Sequence, residues 1–221
     1  MTTLDKYELH THSYLALRKA VGIIGILLPV VLAVGTNLVG DVSGLRPSIS
    51  LYYGTSMGDV LVGALCAVGL FLFFYAGYEP IDNWAGNFAG TFAIGTALFP
   101  AVVGPYRVEG FPGTAGFPSW VRTVHLTSAA LFFLTLAFFS LFLFTRTTSD
   151  TPPTPQKQLR NRIYVICGVT IVVALIVIIV YSALVPLAER SSLVFFIEAI
   201  ALLAFAISWL TKGEAILTDK A

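Results

Sequence analysis

Three side chains capable of acid–base or metal chemistry lie in apolar segments of this sequence. Asp59 opens one such segment, His125 lies two or three residues into a second, and Glu198 lies about six residues into a third. Ionisable groups are costly at membrane depth, so they are candidates for function there. Counted from the same side of the membrane, the three fall at a similar depth. The sequence therefore predicts a polar site built from two carboxyls and an imidazole.

Structural roles compete with this interpretation at each position. Asp59 is suited to complement the dipole at a helix N-terminus, and His125 is suited to an interfacial hydrogen bond. Glu198, within IEAIALLAF, must be protonated, paired or facing a polar cavity, because an unpaired buried charge is strongly unfavourable. We expect it to pair with another span or an outer loop. The candidates within reach are Arg122, Arg107 and His125.

A metal site is the alternative use of the same residues. One histidine and two carboxylates can hold Zn²⁺ and an activated water, so Asp59, His125 and Glu198 are also metal-ligand candidates. Such sites commonly use two or three histidines, however, and no H-E-x-x-H, G-x-S-x-G, C-x-x-C or Walker motif occurs. We predict no cofactor, with zinc as the alternative.

The elements that position these residues follow from composition and hydropathy. Hydrophobic residues make up 57% of the chain and charged residues 11%, against roughly 25% charged in a soluble domain. Six segments approach the roughly 20 apolar residues that cross a bilayer as a helix. We predict one all-α transmembrane domain over residues 1–221, with spans at about 18–39, 58–77, 84–104, 123–145, 163–186 and 192–211. The third span is rich in Gly, Ala and Thr, which favours a place inside the bundle.

Lys and Arg residues set the expected orientation. Nine of the 13 lie in the segments on the side of the two termini, and four lie on the other side. Short cytoplasmic loops carry such an excess, so we predict a multi-pass protein of the cell (inner) membrane with both termini inside. Residues 21–34 resemble the apolar region of a signal peptide, but we interpret the first span as a retained anchor. The net charge of +1 gives no basic patch for nucleic acid.

The connecting segments differ in character. Residues 146–161 are polar and Pro-rich, which predicts a solvated inner linker without structure of its own. The outer segments 40–58 and 104–120 combine Gly, Pro and aromatic residues, and they are too apolar to extend into water. We expect them to fold over the helix ends as a roof. The two cysteines, Cys66 and Cys167, differ in depth by roughly 12 Å and are expected to be free thiols.

Three segments carry a resemblance to known proteins. They are SISLYYGTSMGDVLVGALCAVGLFLFFYAGYEPIDNWAGNFAG, VHLTSAALFFLTLAFFSLFLF and LVFFIEAIALLAFAISWL. The chain resembles a group of bacterial six-span proteins of unknown function and, more distantly, the DRAM/Sfk type of six-span membrane protein. In that type a Ser-containing segment, here residues 48–50, precedes the second span, and a histidine, here His125, opens a later aromatic span. The resemblance implies a lipid-related role and brings no catalytic residues with it.

Three functional hypotheses follow. The leading one is a non-enzymatic protein that binds membrane lipids or a partner through an outer-leaflet polar pocket, with homo- or hetero-oligomers left open. The others are a membrane-embedded, metal-dependent hydrolase and a proton or ion transporter acting through Glu198. The candidate ligand-binding residues are Asp59, His125, Glu198, Arg107, Arg122, Ser50 and Tyr53.

Overall fold

The computed structural model describes residues 3–40, 44–75, 77, 79–101, 118–146, 152–186 and 189–217, with side chains from residue 15 onwards. Within these residues the regular secondary structure is helical, and there is no strand. Six helices follow one another: α1 Thr3–Val39, α2 Gly58–Phe73, α3 Pro80–Leu98, α4 Ser119–Phe138, α5 Pro155–Leu184 and α6 Leu193–Lys212. A 3₁₀-helix, Ile49–Gly54, precedes α2, and a π-helical turn, Phe139–Leu143, extends α4.

Four of these helices are long and apolar enough to cross a membrane. The qualifying segments are Leu15–Val39, Ser119–Leu143, Pro155–Leu184 and Leu193–Lys212. Helix α2 is apolar but has 16 residues, a length of about 24 Å against a hydrocarbon core of roughly 30 Å. The predicted class is confirmed at this level: the chain is a helical, multi-pass membrane protein.

Several helix boundaries differ from the predicted spans because of local capping signals. Thr154 caps α5 by accepting the Lys157 N–H at 3.2 Å, and Pro155 occupies the first helical position. Residues 155–161, which we predicted to be linker, are therefore helical. Helix α3 likewise begins early, at Pro80, with Asp82 accepting the Glu79 N–H at 3.0 Å. It ends at Leu98, six residues before the predicted boundary at 104.

Small residues bring α3 against α2. A Cβ added at Gly90 would lie 2.7 Å from the Gly69 carbonyl oxygen, so the two backbones touch. The opposite face of α3 is open, with Trp84 71% and Phe88 54% exposed. The prediction of close packing through small residues is thus confirmed, but α3 lies at the edge of the bundle and not in its interior.

Opposite ends of the bundle have different character. We call them the Arg18 end and the His125 end. At the Arg18 end, Arg18 is 5% exposed and donates to the Tyr75 hydroxyl at 3.2 Å. The fully buried Trp209 lies 5.5 Å, between ring centroids, from both Tyr75 and Phe139. This aromatic core holds α1, α6 and the end of α2 together. The predicted polar residues His125 and Glu198 lie at the opposite end.

Candidate functional site at the His125 end

The 3₁₀-helix Ile49–Gly54 folds into the His125 end of the bundle. Tyr52 is fully buried, with its ring centroid 5.8 Å from that of Phe195, and the Phe195 N–H donates to the Pro47 carbonyl at 2.9 Å. Burial raises the pKa of Tyr52, which keeps its hydroxyl neutral. The segment before α2 therefore does fold back, as predicted for the first outer loop. This fold-back places Ser50 inside the bundle.

His125 connects Ser50 to the end of α3. The imidazole is 3% exposed, and its Nδ1 lies 2.6 Å from the Phe99 carbonyl oxygen and 3.1 Å from that of Thr96. Carbonyl oxygens only accept, so Nδ1 carries the proton. In the neutral ring Nε2 is then an acceptor, and the Ser50 hydroxyl, at 3.0 Å, donates to it.

Of the two carbonyls bonded by His125, that of Thr96 lies in the last turn of α3 and that of Phe99 belongs to its C-cap residue. Carbonyl oxygens at the C-terminal end of a helix have no N–H donor within their own helix, so the imidazole N–H supplies one. The same contact fixes which ring nitrogen faces Ser50. The hydrogen bonds from Nδ1 to the carbonyls thus do two things: they stabilise the end of α3, and they set the tautomer that leaves Nε2 as the acceptor for Ser50.

Glu198 bonds the backbone of the 3₁₀-helix. Its Oε2 accepts the Ile49 N–H at 2.5 Å, and that N–H stands at the first helical position, where no intrahelical acceptor exists. The predicted pairing of Glu198 with Arg122 is not seen among the described residues, where the Glu198 carboxylate bonds the Ile49 N–H. Arg107 lies outside the described residues. Among the described residues, Glu198 therefore has a backbone partner next to Ser50, and its pairing with Arg107 stays a prediction.

Two cavities meet at these groups. The apolar chamber has a volume of about 50 Å³ and is lined chiefly by aliphatic and aromatic side chains, with His125 and Thr96 among its walls. The second cavity, which we call the polar chamber, has a volume of about 60 Å³ and is lined by Arg122, Arg190 and several serines together with apolar side chains such as Leu51 and Ile178. Ser50 and Glu198 line both chambers. Ser50 and Glu198, which both form hydrogen bonds, thus lie between the apolar chamber and the chamber that contains Arg122 and Arg190.

The remaining predicted residues lie elsewhere. Asp59 is exposed in the first turn of α2, and Tyr53 is partly buried against the neighbouring apolar core. Neither lines the two chambers. In the part of the chain that the structure describes, no group of three or more His, Cys, Asp or Glu side chains is placed to hold a metal. Of the predicted site residues that the structure describes, Ser50, His125, Glu198 and Arg122 line the two chambers, whereas Asp59 and Tyr53 do not.

The sequence alone missed two components of this site. Arg190, which joins Arg122 in the polar chamber, was counted only for orientation, although its position just before an apolar helix was a usable signal. The Ile49 N–H and the carbonyls of Thr96 and Phe99 carry no sequence signal, because every residue has such groups.

Comparison with known proteins adds no further identification. The chain matches no protein-family model, no curated protein and no solved structure. Its function must be argued from the geometry of this site.

Proposed function

We propose that all six helices cross the cell membrane, with the Arg18 end in the cytoplasm. Two observations support this topology. Contacts at the two ends show that consecutive helices alternate in direction: Arg18 meets Tyr75 at one end, and His125 meets Phe99 at the other. Nine of 13 Lys and Arg residues lie on the side of the termini. The His125 end then lies in the outer leaflet.

Cysteine labelling tests this topology. In a background with Cys66 and Cys167 replaced by Ala, a cysteine at Thr154 is expected to react with an impermeant maleimide only after the cells are opened. One at Ser191 is expected to react in intact cells. The reverse pattern would refute the orientation, and labelling of both from outside would refute the six-span arrangement.

We infer that the His125 end binds a membrane lipid. The observation that carries this proposal is the pair of adjoining chambers that share Ser50 and Glu198 as walls. An amphiphile has the matching chemistry: an apolar tail for the first chamber and a polar, anionic head for the chamber with Arg122 and Arg190. A carbonyl or hydroxyl group of the lipid, between its tail and its head, would then lie next to Ser50 and Glu198.

The size of the chambers limits what enters. About 50 Å³ holds on the order of three or four waters, or an equivalent piece of an alkyl chain. Only the segment of the lipid near its head would lie inside, while the rest of the tail would extend into the bilayer. This favours an amphiphile already resident in the outer leaflet over a soluble ligand.

The other two hypotheses have weaker support. For a metal-dependent hydrolase, His125 would have to supply a ligand nitrogen, but Nδ1 is held by two carbonyls and Nε2 by Ser50. For proton transfer through Glu198, polar groups would have to continue towards the Arg18 end. The apolar chamber is instead walled there by residues such as Leu65 and Phe132.

Native mass spectrometry of the protein purified in mild detergent tests lipid binding. We expect a bound lipid on the unaltered chain and its loss from Ala129→Phe, which fills the apolar chamber. The matched control is Ala183→Phe, at an exposed position near the end of α5, which should retain the lipid. Equal occupancy in both variants, or no bound lipid after supplying anionic and zwitterionic phospholipids, would refute the proposal.

A further inference from the structure

We propose that Ser50 and His125 act as nucleophile and general base on an acyl ester of the bound lipid. This inference rests on the proposed lipid binding and adds a reaction and a substrate class to it. The substrate is an acyl ester whose head carries an anionic group such as a phosphate.

The geometry matches the arrangement that activates a serine. The Ser50 Oγ lies 3.0 Å from His125 Nε2, within the reach needed for proton transfer. A third group orients the base, as this kind of catalysis requires: the Phe99 carbonyl, 2.6 Å from Nδ1. The carbonyl fixes the tautomer as a carboxylate would. It carries no net charge, however, so it stabilises the imidazolium less than a carboxylate does.

The position of Ser50 selects the bond to be broken. Because Ser50 lines both chambers, a lipid with its tail in the apolar chamber and its head in the polar one presents the linking ester at this boundary. The charges of Arg122 and of Arg190, whose guanidinium also donates to the Val185 and Ser182 carbonyls at 3.0 and 2.7 Å, favour an anionic head. They also favour the negative charge that develops on an ester oxygen during attack.

The reaction needs only the ester and water. The Ser50 oxygen forms a bond to the acyl carbon as its proton moves to His125 Nε2. The ester C–O bond then breaks, and the leaving oxygen takes that proton from Nε2. A water attacks the acyl-serine with its proton moving to Nε2, and return of that proton to the Ser50 oxygen releases the fatty acid. Ester and water thus give acid and alcohol, with Ser50 and His125 restored.

Glu198 serves this site as a positioning residue. By accepting the Ile49 N–H it fixes the backbone one residue before Ser50, and through that backbone it holds the direction of the hydroxyl. It touches neither the transferred proton nor the attacking oxygen in this scheme. Its loss should therefore slow the reaction through misplacement of Ser50.

The competing interpretation is that the Ser50 hydroxyl only satisfies a buried histidine. A long-chain alkyl fluorophosphonate separates the two, because it forms a stable adduct only with an activated serine. We expect the purified full-length protein to gain one adduct, assigned by peptide mass spectrometry to Ser50. The adduct should be lost in Ser50→Ala and unchanged in Ser119→Ala, an exposed serine at the same end.

His125→Gln tests the base. The Gln side chain can donate to a carbonyl and accept from Ser50, so it can preserve both hydrogen bonds while removing the base. The adduct should then form at least about 100-fold more slowly, since general bases typically contribute that much or more. Labelling at the parent rate would overturn the assignment of His125.

Failure of this inference is distinguishable from failure of lipid binding. Ser50→Ala changes one atom group, is expected to fold, and should release no fatty acid from a fluorescent acyl ester of an anionic phospholipid, whereas the parent should release it. Lipid binding is measured on the parent by native mass spectrometry. If the parent binds lipid but forms no adduct at Ser50, the catalytic proposal is wrong and the binding proposal stands. If no lipid is bound at all, the proposed function itself is refuted.

Discussion

Replacing Glu198 by two different residues shows whether its carboxyl matters as the acceptor of a backbone N–H or as the partner of an arginine. Glu198→Gln keeps an oxygen able to accept the Ile49 N–H but removes any charge. Glu198→Leu removes the acceptor as well, at similar size. If the backbone hydrogen bond is what matters, Leu should be much more damaging than Gln. If a buried arginine depends on Glu198, both should be damaging.

The expected magnitudes follow from the hydrogen bond that the Ile49 N–H donates to Glu198. Leaving the Ile49 N–H unpaired in a buried place costs about 1–3 kcal/mol. Exchange of a charge-assisted hydrogen bond for a neutral one costs about 1 kcal/mol, and nothing if the carboxyl is protonated. With roughly 2–4 °C per kcal/mol for a chain of this size, we expect Tm to fall by about 2–12 °C in Glu198→Leu and by at most about 4 °C in Glu198→Gln.

Thermal unfolding in a fixed detergent, followed by tryptophan fluorescence, measures both variants. Glu79→Gln is the control for loss of a charge, because Glu79 forms its exposed ion pair with Arg146 and such pairs contribute about 0–1 kcal/mol. A Tm for Glu198→Gln as low as that of Glu198→Leu would refute the reasoning. The carboxylate would then be neutralising a cation, at a cost of about 3–5 kcal/mol when it is removed.

Two further predictions concern packing between helices. Gly90→Ala places a Cβ 2.7 Å from a backbone oxygen of α2 and should lower the free energy of unfolding by about 1–3 kcal/mol. The control Gly63→Ala places its Cβ in open space and should have no such effect. Comparing the Tm of both variants with that of the parent checks this prediction. The hydroxyls of Ser140 and Ser208 lie 2.8 Å apart and are fully buried, so a double-mutant cycle with Ala should give a coupling of about 0.5–1.5 kcal/mol. Additive unfolding energies in that cycle would show that the pair is not a stabilising contact.

The membrane class and most helices are determined by the sequence on its own. With 11% charged residues the chain cannot cover a water-facing surface, and long apolar runs in lipid must become helices. Glu198 and His125 could be selected as site residues for the same reason, since polar groups inside such runs need partners. The sequence also contains the start of α5, because Thr154 followed by Pro155 is an ordinary helix-start signal within the Pro-rich segment 146–161.

Which of the candidates meet was decided by the tertiary structure. Ser50 and His125 are 75 residues apart in sequence, and Ile49 and Glu198 are 149 apart. Asp59 does not join His125 and Glu198, although a similar depth was predicted for all three. The depth of a residue does not determine which side of its helix it occupies, and Asp59 lies on the exposed side of α2. The partners of His125 and Glu198 include backbone groups, which are identical at every position until the fold leaves particular ones without a partner. Only the folded chain determines which N–H and C=O groups those are.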